Sequence, residues 1–185
     1  MNSSLRPALF LDRDGVINVE KNYVYRPEEF EFIDGVFDMC KKASAAGLAI
    51  VVITNQAGIG RGLYTEKQFH YLTDWMCSQF SANGVTIDAV YFCPFHPEHG
   101  IGRYRADSFD RKPNPGMILR AAADLRLDLV QSVLVGDKPS DISAAKAAGI
   151  GHSILLSKMD ESFDPRPDIR CSSMQEIINY FFNNL

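Results

Sequence analysis

The sequence predicts an open α/β fold, a doubly wound parallel sheet, and three observations carry that expectation. Short apolar runs alternate along the chain with stretches of helical spacing, the pattern of successive strand, helix and strand units. Two of the runs, Ala8 to Leu11 and Ser132 to Val135, end abruptly in acid: Asp12-Arg13-Asp14-Gly15 and Gly136-Asp137. A third run, Leu48 to Ile53, ends in Thr54-Asn55-Gln56. Ligands bind at the carboxyl ends of strands in such sheets, so the three polar ends are expected to face one crevice.

The bulk properties set bounds on partners. With 185 residues and 46% hydrophobic composition, a single domain over residues 1–185 can bury a sizeable core. A net charge of -4 gives no support for a nucleic-acid or membrane surface. No apolar run reaches membrane-spanning length and no signal-peptide core precedes the first strand, so a cytoplasmic protein is expected, a monomer by default. Cys40, Cys77, Cys93 and Cys171 are scattered without a Cys-x-x-Cys pair and read as small buried residues.

Taken in order, the apolar run Ala8 to Leu11 reads as a buried strand, and Asn18 to Pro27 as a loop or small hairpin over its carboxyl end. Asp34-Gly35 opens a helix whose apolar face is Val36, Phe37, Met39, Cys40 and Ala43, with Gly47 as its cap. The β-branched run Leu48 to Ile53 reads as a central parallel strand. The following Thr54 to Gly62, with three glycines, resembles a phosphate cradle, because glycine lets backbone N–H groups approach an anion. Thr65 and Gln68 form a capping box for a helix that packs Phe69, Leu72, Trp75, Met76 and Phe80.

A short strand, Ala89 to Phe92, leads into a long irregular stretch from Cys93 to Lys112, and a loop of that length in a compact domain usually serves function. It ends in Arg111-Lys112-Pro113-Asn114-Pro115-Gly116, and Pro115 opens the next helix. Lys112 is pinned by that proline turn, which argues against an ordinary solvated lysine. After Ser132 to Val135, Asp141 reads as the cap or first-turn charge of a small-residue helix closed by Gly149. Ile154 to Leu156 is the last core strand expected, and Met174 to Phe182 a closing amphipathic helix.

The chemistry follows from charge. Two carboxylates two residues apart at a desolvated strand end repel each other unless a cation relieves them. Asp12, Asp14 and Asp137 can supply the hard oxygen ligands that Mg²⁺ prefers, and Lys112 can neutralise the remaining charge of a bound phosphate.

Asp12-x-Asp14-Gly15-Val16, a strand-end Thr54-Asn55-Gln56, a lone clamped Lys112 and a later Gly136-Asp137-Lys138-x-x-Asp141 together resemble the haloacid dehalogenase superfamily. The resemblance implies a Rossmann-like sheet and a phosphatase working through an aspartyl phosphate. In that reading Asp12 is the nucleophile, Asp14 the acid and base, Lys112 with Mg²⁺ offsets the approach of two anions, and Thr54 with nearby N–H groups holds the transferring oxygens. Asp137 and the main-chain carbonyl of Asp14 complete the metal shell. Within the superfamily, Asp12 to Asn18, Asn22-Tyr23-Val24, Phe30-Glu31-Phe32, Thr54 to Gly62, Cys93-Pro94 and Arg111 to Met117 are similar to the heptose bisphosphate and histidinol-phosphate phosphatase family.

No cap domain fits between Gly15 and Asp34 or between Cys93 and Arg111, so the likeness implies an open site and substrate choice by loops. Glu20, Lys21, Asn22, Tyr23, Asn55, Gln56, Arg61, Arg111 and Lys138 are the expected substrate contacts. Arg61, Arg111 and Lys138 are assigned to a second phosphate or to sugar hydroxyls, against the alternative of surface ion pairs. A sugar bisphosphate is preferred over histidinol phosphate because Lys21, Arg111 and Lys138 suit a second dianion. A phospho-accepting signalling module is disfavoured, since Asp14 would promote turnover of the phosphorylated state.

One departure stands out. Family members usually carry C-P-H-H followed by C-x-C-R-K-P, a structural zinc site, whereas this chain has Phe95, Ser108 and Asp110 at three of the four ligand positions. Structural zinc is therefore expected to be absent, with a site improvised from Cys93, His96 and His99 as the alternative. Phe95 with Phe109, or Arg103 and Arg105 with Asp107 and Asp110, are the expected substitutes that order the loop.

Overall fold

The computed structural model describes residues 5–158 and 164–181. Its centre is a six-stranded sheet: β1 (Ala8–Leu11), β2 (Ala49–Asn55), β3 (Ala89–Cys93), β4 (Val133–Gly136), β5 (His152–Leu156) and β6 (Ile169–Cys171). The strands lie in the order β3-β2-β1-β4-β5-β6, and every pairing is parallel. Strand order reverses between β1 and β4, which opens a crevice at their carboxyl ends.

Both faces of the sheet are covered, and the period-two alternation of β1 shows how. Leu9 and Leu11 point into the layer that carries α1 (Val36–Ala45), α3 (Glu66–Ala82) and α6 (Met174–Phe181). Ala8 and Phe10 point into the layer that carries α4 (Gly116–Leu125) and α5 (Pro139–Ala148). Each fully buried leucine or phenylalanine contributes about 1.5–3 kcal/mol relative to exposure. Four consecutive buried residues therefore anchor the carboxyl end of β1 firmly.

The helices follow their local signals. Gly35 and Gly47 take the left-handed backbone that flanks α1, and Thr65 and Gln68 form the reciprocal capping box of α3. Trp75 sits half-buried against Phe30 and Phe32 rather than at any ligand surface.

Several expectations are corrected. The glycine-rich stretch after β2 is not an open cradle but a one-turn helix, α2 (Ala57–Gly60). Its glycines admit close neighbours instead: a Cβ on Gly58 would lie 2.2 Å from the Tyr64 ring, and one on Gly60 would lie 2.3 Å from the Pro94 carbonyl. Of the two alternatives for residues 18–27, the structure has the loop, with isolated bridges from Asn18 to Asp14 and to Phe32 and a 3-10 turn at Pro27–Glu29. A sixth strand, β6, extends the sheet beyond the expected last one. It escapes the hydrophobic pattern because it is three residues long and its first two residues are only partly buried. Asp168 fixes it to β5 by accepting from the Ser153 amide (2.8 Å) and hydroxyl (2.7 Å). The expected end of the closing helix at Phe182 lies outside the described residues.

The long loop from Cys93 to Lys112 is ordered, but not by the expected partners. Phe95 packs on Tyr104 (centroids 5.8 Å apart) while Phe109 is exposed. Arg103 pairs with Glu66, and Asp110 with Arg120 at 2.7 Å. Arg111 donates to the Phe95 carbonyl at 3.1 Å, Ile101 N–H reaches the Gly60 carbonyl at 2.8 Å, and the Ser108 hydroxyl accepts from the Asp110 N–H at 3.2 Å.

Candidate active site

The floor of the crevice is a buried charge cluster. Asp12 continues β1 by donating its N–H to the Val135 carbonyl (3.1 Å), which aims its carboxylate across the gap to β4. Lys112 arrives from the long loop, and the Asn55 carboxamide clamps its peptide on both sides, donating to its carbonyl (2.9 Å) and accepting from its N–H (3.1 Å). The Lys112 ammonium is 3% exposed and makes three contacts: Asp141 at 2.7 Å, Asp12 at 3.0 Å and the Ile53 carbonyl at 3.0 Å. Desolvation works against its charge, yet Asp12 and Asp141 outweigh that and hold its pKa above the ordinary lysine value.

Asp137 ends β4 beside them. A Cβ on Gly15 would lie 2.1 Å from Asp137 Oδ2, so only glycine lets the backbone after Asp14 come this close. Oxygens of Asp12, Asp137 and Asp141 gather within 4.8 Å of one another. Burial, reinforced by the neighbouring acids, outweighs Lys112 and pushes the Asp12 carboxyl up to about 7. Burial likewise raises Asp137 to about 6, against the pull of Lys138. Asp137 Oδ1 is buried without a partner among the described residues. Converging hard oxygens, an excess of negative charge and an unpartnered carboxylate oxygen fit a divalent cation such as Mg²⁺.

The carboxylate of Asp14 lies elsewhere. The sequence pattern grouped it with Asp12 and Asp137, whereas the structure groups Asp141 with them and turns Asp14 toward donors. Arg13 Nη2 reaches both Asp14 oxygens (2.9 and 2.8 Å), Asn18 donates to Oδ1 (3.0 Å) and Gln56 to Oδ2 (3.0 Å). Arg13 is 2% exposed, and a guanidinium so deeply buried needs a carboxylate beside it.

Above this floor lies a cleft of roughly 500 Å³, lined by Asp14, Glu20, Asn22, Tyr23, Asn55, Gln56, Arg111, Lys112 and Lys138 of the expected residues. Thr54 is buried beneath it, 1% exposed, with its hydroxyl accepting from Gln56 (2.8 Å). Two expected contacts are not among the cleft's lining residues. Lys21 turns away to pair with Glu31 at 2.7 Å, and Arg61 lies over the Tyr23 ring (5.6 Å to its centroid) and donates to its hydroxyl. Asn22 and Tyr23 both adopt left-handed backbone, φ 57° and 66°, a turn held by Glu20 accepting from the Asn22 N–H. Lys138 spans the rim to Glu20 at 3.2 Å.

Sequence reasoning did not single out Tyr64, at the end of the loop expected to help choose substrate, or Ser140 on the cleft wall, and gave Asp141 a place in the last motif but no role beyond the start of its helix. Asp141 does accept from the Lys138 N–H (3.0 Å) at the start of α5 while it also pairs with Lys112. The signal for its second role was Lys112 itself, since a buried ammonium requires more than one anionic partner. Tyr64 had no comparable signal.

Acidic ends of β1 and β4 at the sheet's switch point, with a buried lysine paired to Asp12 and Asp141, define a haloacid-dehalogenase-like hydrolase, and the HAD-hydrolase-like family model matches residues 109–162. The chain is 57% identical over 155 residues to the D-glycero-alpha-D-manno-heptose-1,7-bisphosphate 7-phosphatase of Burkholderia mallei, covering 84% of this chain and 82% of that protein. It is 50% identical over 151 residues to the beta-anomer enzyme of Vibrio cholerae, covering 82% and 81%. Among solved structures, the D,D-heptose 1,7-bisphosphate phosphatase of B. bronchiseptica, complexed with magnesium and phosphate, superimposes with a TM-score of 0.79 at 26% identity, covering 97% of this chain and 99% of that one. This chain belongs to the heptose 1,7-bisphosphate 7-phosphatase family of the haloacid dehalogenase superfamily.

Proposed function

We propose that this protein is a Mg²⁺-dependent phosphatase that removes the 7-phosphate of D-glycero-D-manno-heptose 1,7-bisphosphate and leaves the 1-phosphate in place. The buried Asp12–Lys112 pair beside Asp137, at the switch point of the sheet, carries this reading. Asp12 attacks the phosphorus in line, and the bond between phosphorus and the sugar oxygen breaks as an aspartyl phosphate forms. Asp14, on the cleft wall, gives a proton to the departing sugar oxygen and then takes one from the water that hydrolyses the intermediate. Lys112 and Thr54 hold the phosphoryl oxygens. Asp12, Asp137 and the main-chain carbonyl of Asp14 would hold Mg²⁺, which would offset the charge of the phosphoryl group and the carboxylates around it.

Arg111 and Lys138 on the rim receive the retained phosphate, with Glu20, Asn22, Tyr23, Asn55 and Gln56 lining the sugar's path. Two basic side chains on this wall favour a second dianion over the cationic amine and imidazole of histidinol phosphate. Lys21 does not support that preference, because Glu31 neutralises it. The reading includes a monomer acting on a small sugar phosphate in the cytoplasm, without nucleic-acid or membrane partners. Among the described residues no helix is long and apolar enough to cross a membrane.

Structural zinc has no part in this reading. Phe95 packs on Tyr104, the Ser108 hydroxyl accepts from the Asp110 N–H and the Asp110 carboxylate pairs with Arg120, so these three positions are committed to packing, hydrogen bonds and ion pairs. One equivalent of tightly held zinc in the purified protein would overturn that point.

The experiment is Mg²⁺-dependent phosphate release from both anomers of the heptose bisphosphate, fructose bisphosphate and histidinol phosphate, with Asp12→Asn as control. Preference for a heptose anomer, abolished in the control, is expected. Preferential release from histidinol phosphate would reassign the substrate, and stable phosphate on Asp12 without turnover would favour a signalling module.

A further inference from the structure

From the cleft wall to its floor, Tyr64, Gln56 and Thr54 form a chain of hydrogen bonds whose polarity can be worked out from donor counts. Gln56 is 2% exposed and fully committed. Its Nε2 donates to Asp14 Oδ2 (3.0 Å) and to Thr54 Oγ1 (2.8 Å), which uses both amide hydrogens, and its Oε1 accepts from the Tyr64 hydroxyl. Reversing the amide would set a carbonyl oxygen against the Asp14 carboxylate and turn an NH₂ group toward the Tyr64 hydroxyl. The Asp14 carboxylate, which can only accept, therefore sets the orientation, and the Tyr64 hydroxyl anchors the amide by donating to its Oε1.

The consequence reaches Thr54. Its oxygen is occupied as an acceptor, and its own hydrogen has no acceptor among the described residues although the side chain is 1% exposed. A buried hydroxyl hydrogen without a partner is costly to leave unpaired and favours any anion that enters beside it. The Tyr64 ring is itself fixed, stacked on Tyr25 at 5.3 Å and seated where a Cβ on Gly58 would collide with it. Burial raises the Tyr64 phenol well above its ordinary pKa, so it stays protonated as a donor.

We infer that Tyr64 is a positioning residue: its hydroxyl anchors the Gln56 amide that Asp14 orients, so that the amide stays seated on Thr54 and Thr54 offers a hydrogen rather than a lone pair to the phosphoryl group. This rests on the phosphatase reading above, in which the transferred phosphoryl sits against Thr54.

The test is Tyr64→Phe, which deletes one oxygen and keeps the stacked ring. The readouts are affinity for inorganic phosphate in the presence of Mg²⁺ by calorimetry, kcat/KM on p-nitrophenyl phosphate, and melting temperature. Phosphate affinity and kcat/KM are each expected to fall about tenfold, the size of one oriented hydrogen bond to an anion. A cycle with Thr54 separates positioning from packing. In a Thr54→Val background the Tyr64 change is expected to cost less than about twofold, whereas in Thr54→Ser, which keeps the hydroxyl, the tenfold loss returns. Equal phosphate affinity in wild type and Tyr64→Phe would overturn this inference alone, as would a full additional loss in the Thr54→Val background. Wild-type protein that binds no phosphate would overturn it together with the phosphatase reading.

Discussion

The floor and the rim of the cleft use the same residue types under opposite physical regimes. On the floor, Lys112 is 3% exposed and bridges Asp12 and Asp141 at 3.0 and 2.7 Å. On the rim, Lys138 reaches Glu20 at 3.2 Å, but both side chains remain 40% exposed or more. Removing one partner from the buried group strands charges that water cannot reach, while the exposed pair is screened and exchanges readily with solvent. On the proposed reading, the groups assigned to phosphoryl chemistry are thus locked into the core, and those assigned to substrate choice sit on loops that can yield to it. Asn55 joins the two regions, because its carboxamide clamps the Lys112 peptide while its side chain also lines the cleft.

Lys112→Met should break the floor with the largest effect. Leaving Asp12 and Asp141 without their ammonium is expected to cost about 3–5 kcal/mol, read as a drop in melting temperature of roughly 6–20 °C for a chain of this size. Phosphatase activity should fall by at least about a hundredfold. A variant as stable and as active as wild type would show that the floor behaves like the rim.

Mg²⁺ should sharpen the contrast through pH. Asp12 and Asp137 have folded-state values raised from 3.8 to about 7 and about 6, so between those limits the metal-free folded protein holds protons that the unfolded chain releases. Stability of the metal-free protein should therefore fall as pH rises from about 4 to 7. Mg²⁺ at about a hundred times its dissociation constant adds about 2.7 kcal/mol, or roughly 5–10 °C. Melting curves should show that gain at neutral pH and a much smaller one near pH 5, where protons already occupy the carboxylates. An equal gain at both values would mean that the cation binds away from Asp12 and Asp137.

On the rim, Arg111→Ala should lower kcat/KM for a heptose bisphosphate about tenfold while changing that for a small monophosphate less than threefold. Equal losses would remove Arg111 from the retained phosphate and return it to bracing the Phe95 carbonyl. The smallest effect belongs to Glu20→Gln. Stability should change by less than about 1 kcal/mol, because the partner Lys138 is exposed, and KM for the bisphosphate should shift only about twofold. A change comparable to that at Lys112 would erase the distinction between the two regions.

How much of this was legible in the sequence depended on whether the signal was local. The strand at Ala8–Leu11 and the capping box of Thr65 and Gln68 follow from neighbouring residues, so pattern and structure agree there. Gly58 and Gly60 misled, because glycine serves either an anion or a close neighbour, and only packing against Tyr64 and Pro94 tells which. Asp14 misled for a related reason: its spacing from Asp12 is visible, but the buried Arg13 that turns its carboxylate is a contact, not a pattern.

By itself the sequence determined the parallel sheet, its polar strand ends and the family, because burial periodicity and motif order are written along the chain. Only the tertiary structure decided that Asp141 joins Asp12 and Asp137, that Lys21 leaves the cleft for Glu31, and that Tyr64 reaches Gln56. Those pairings depend on side-chain direction and desolvation across distant segments, which residue order does not encode locally.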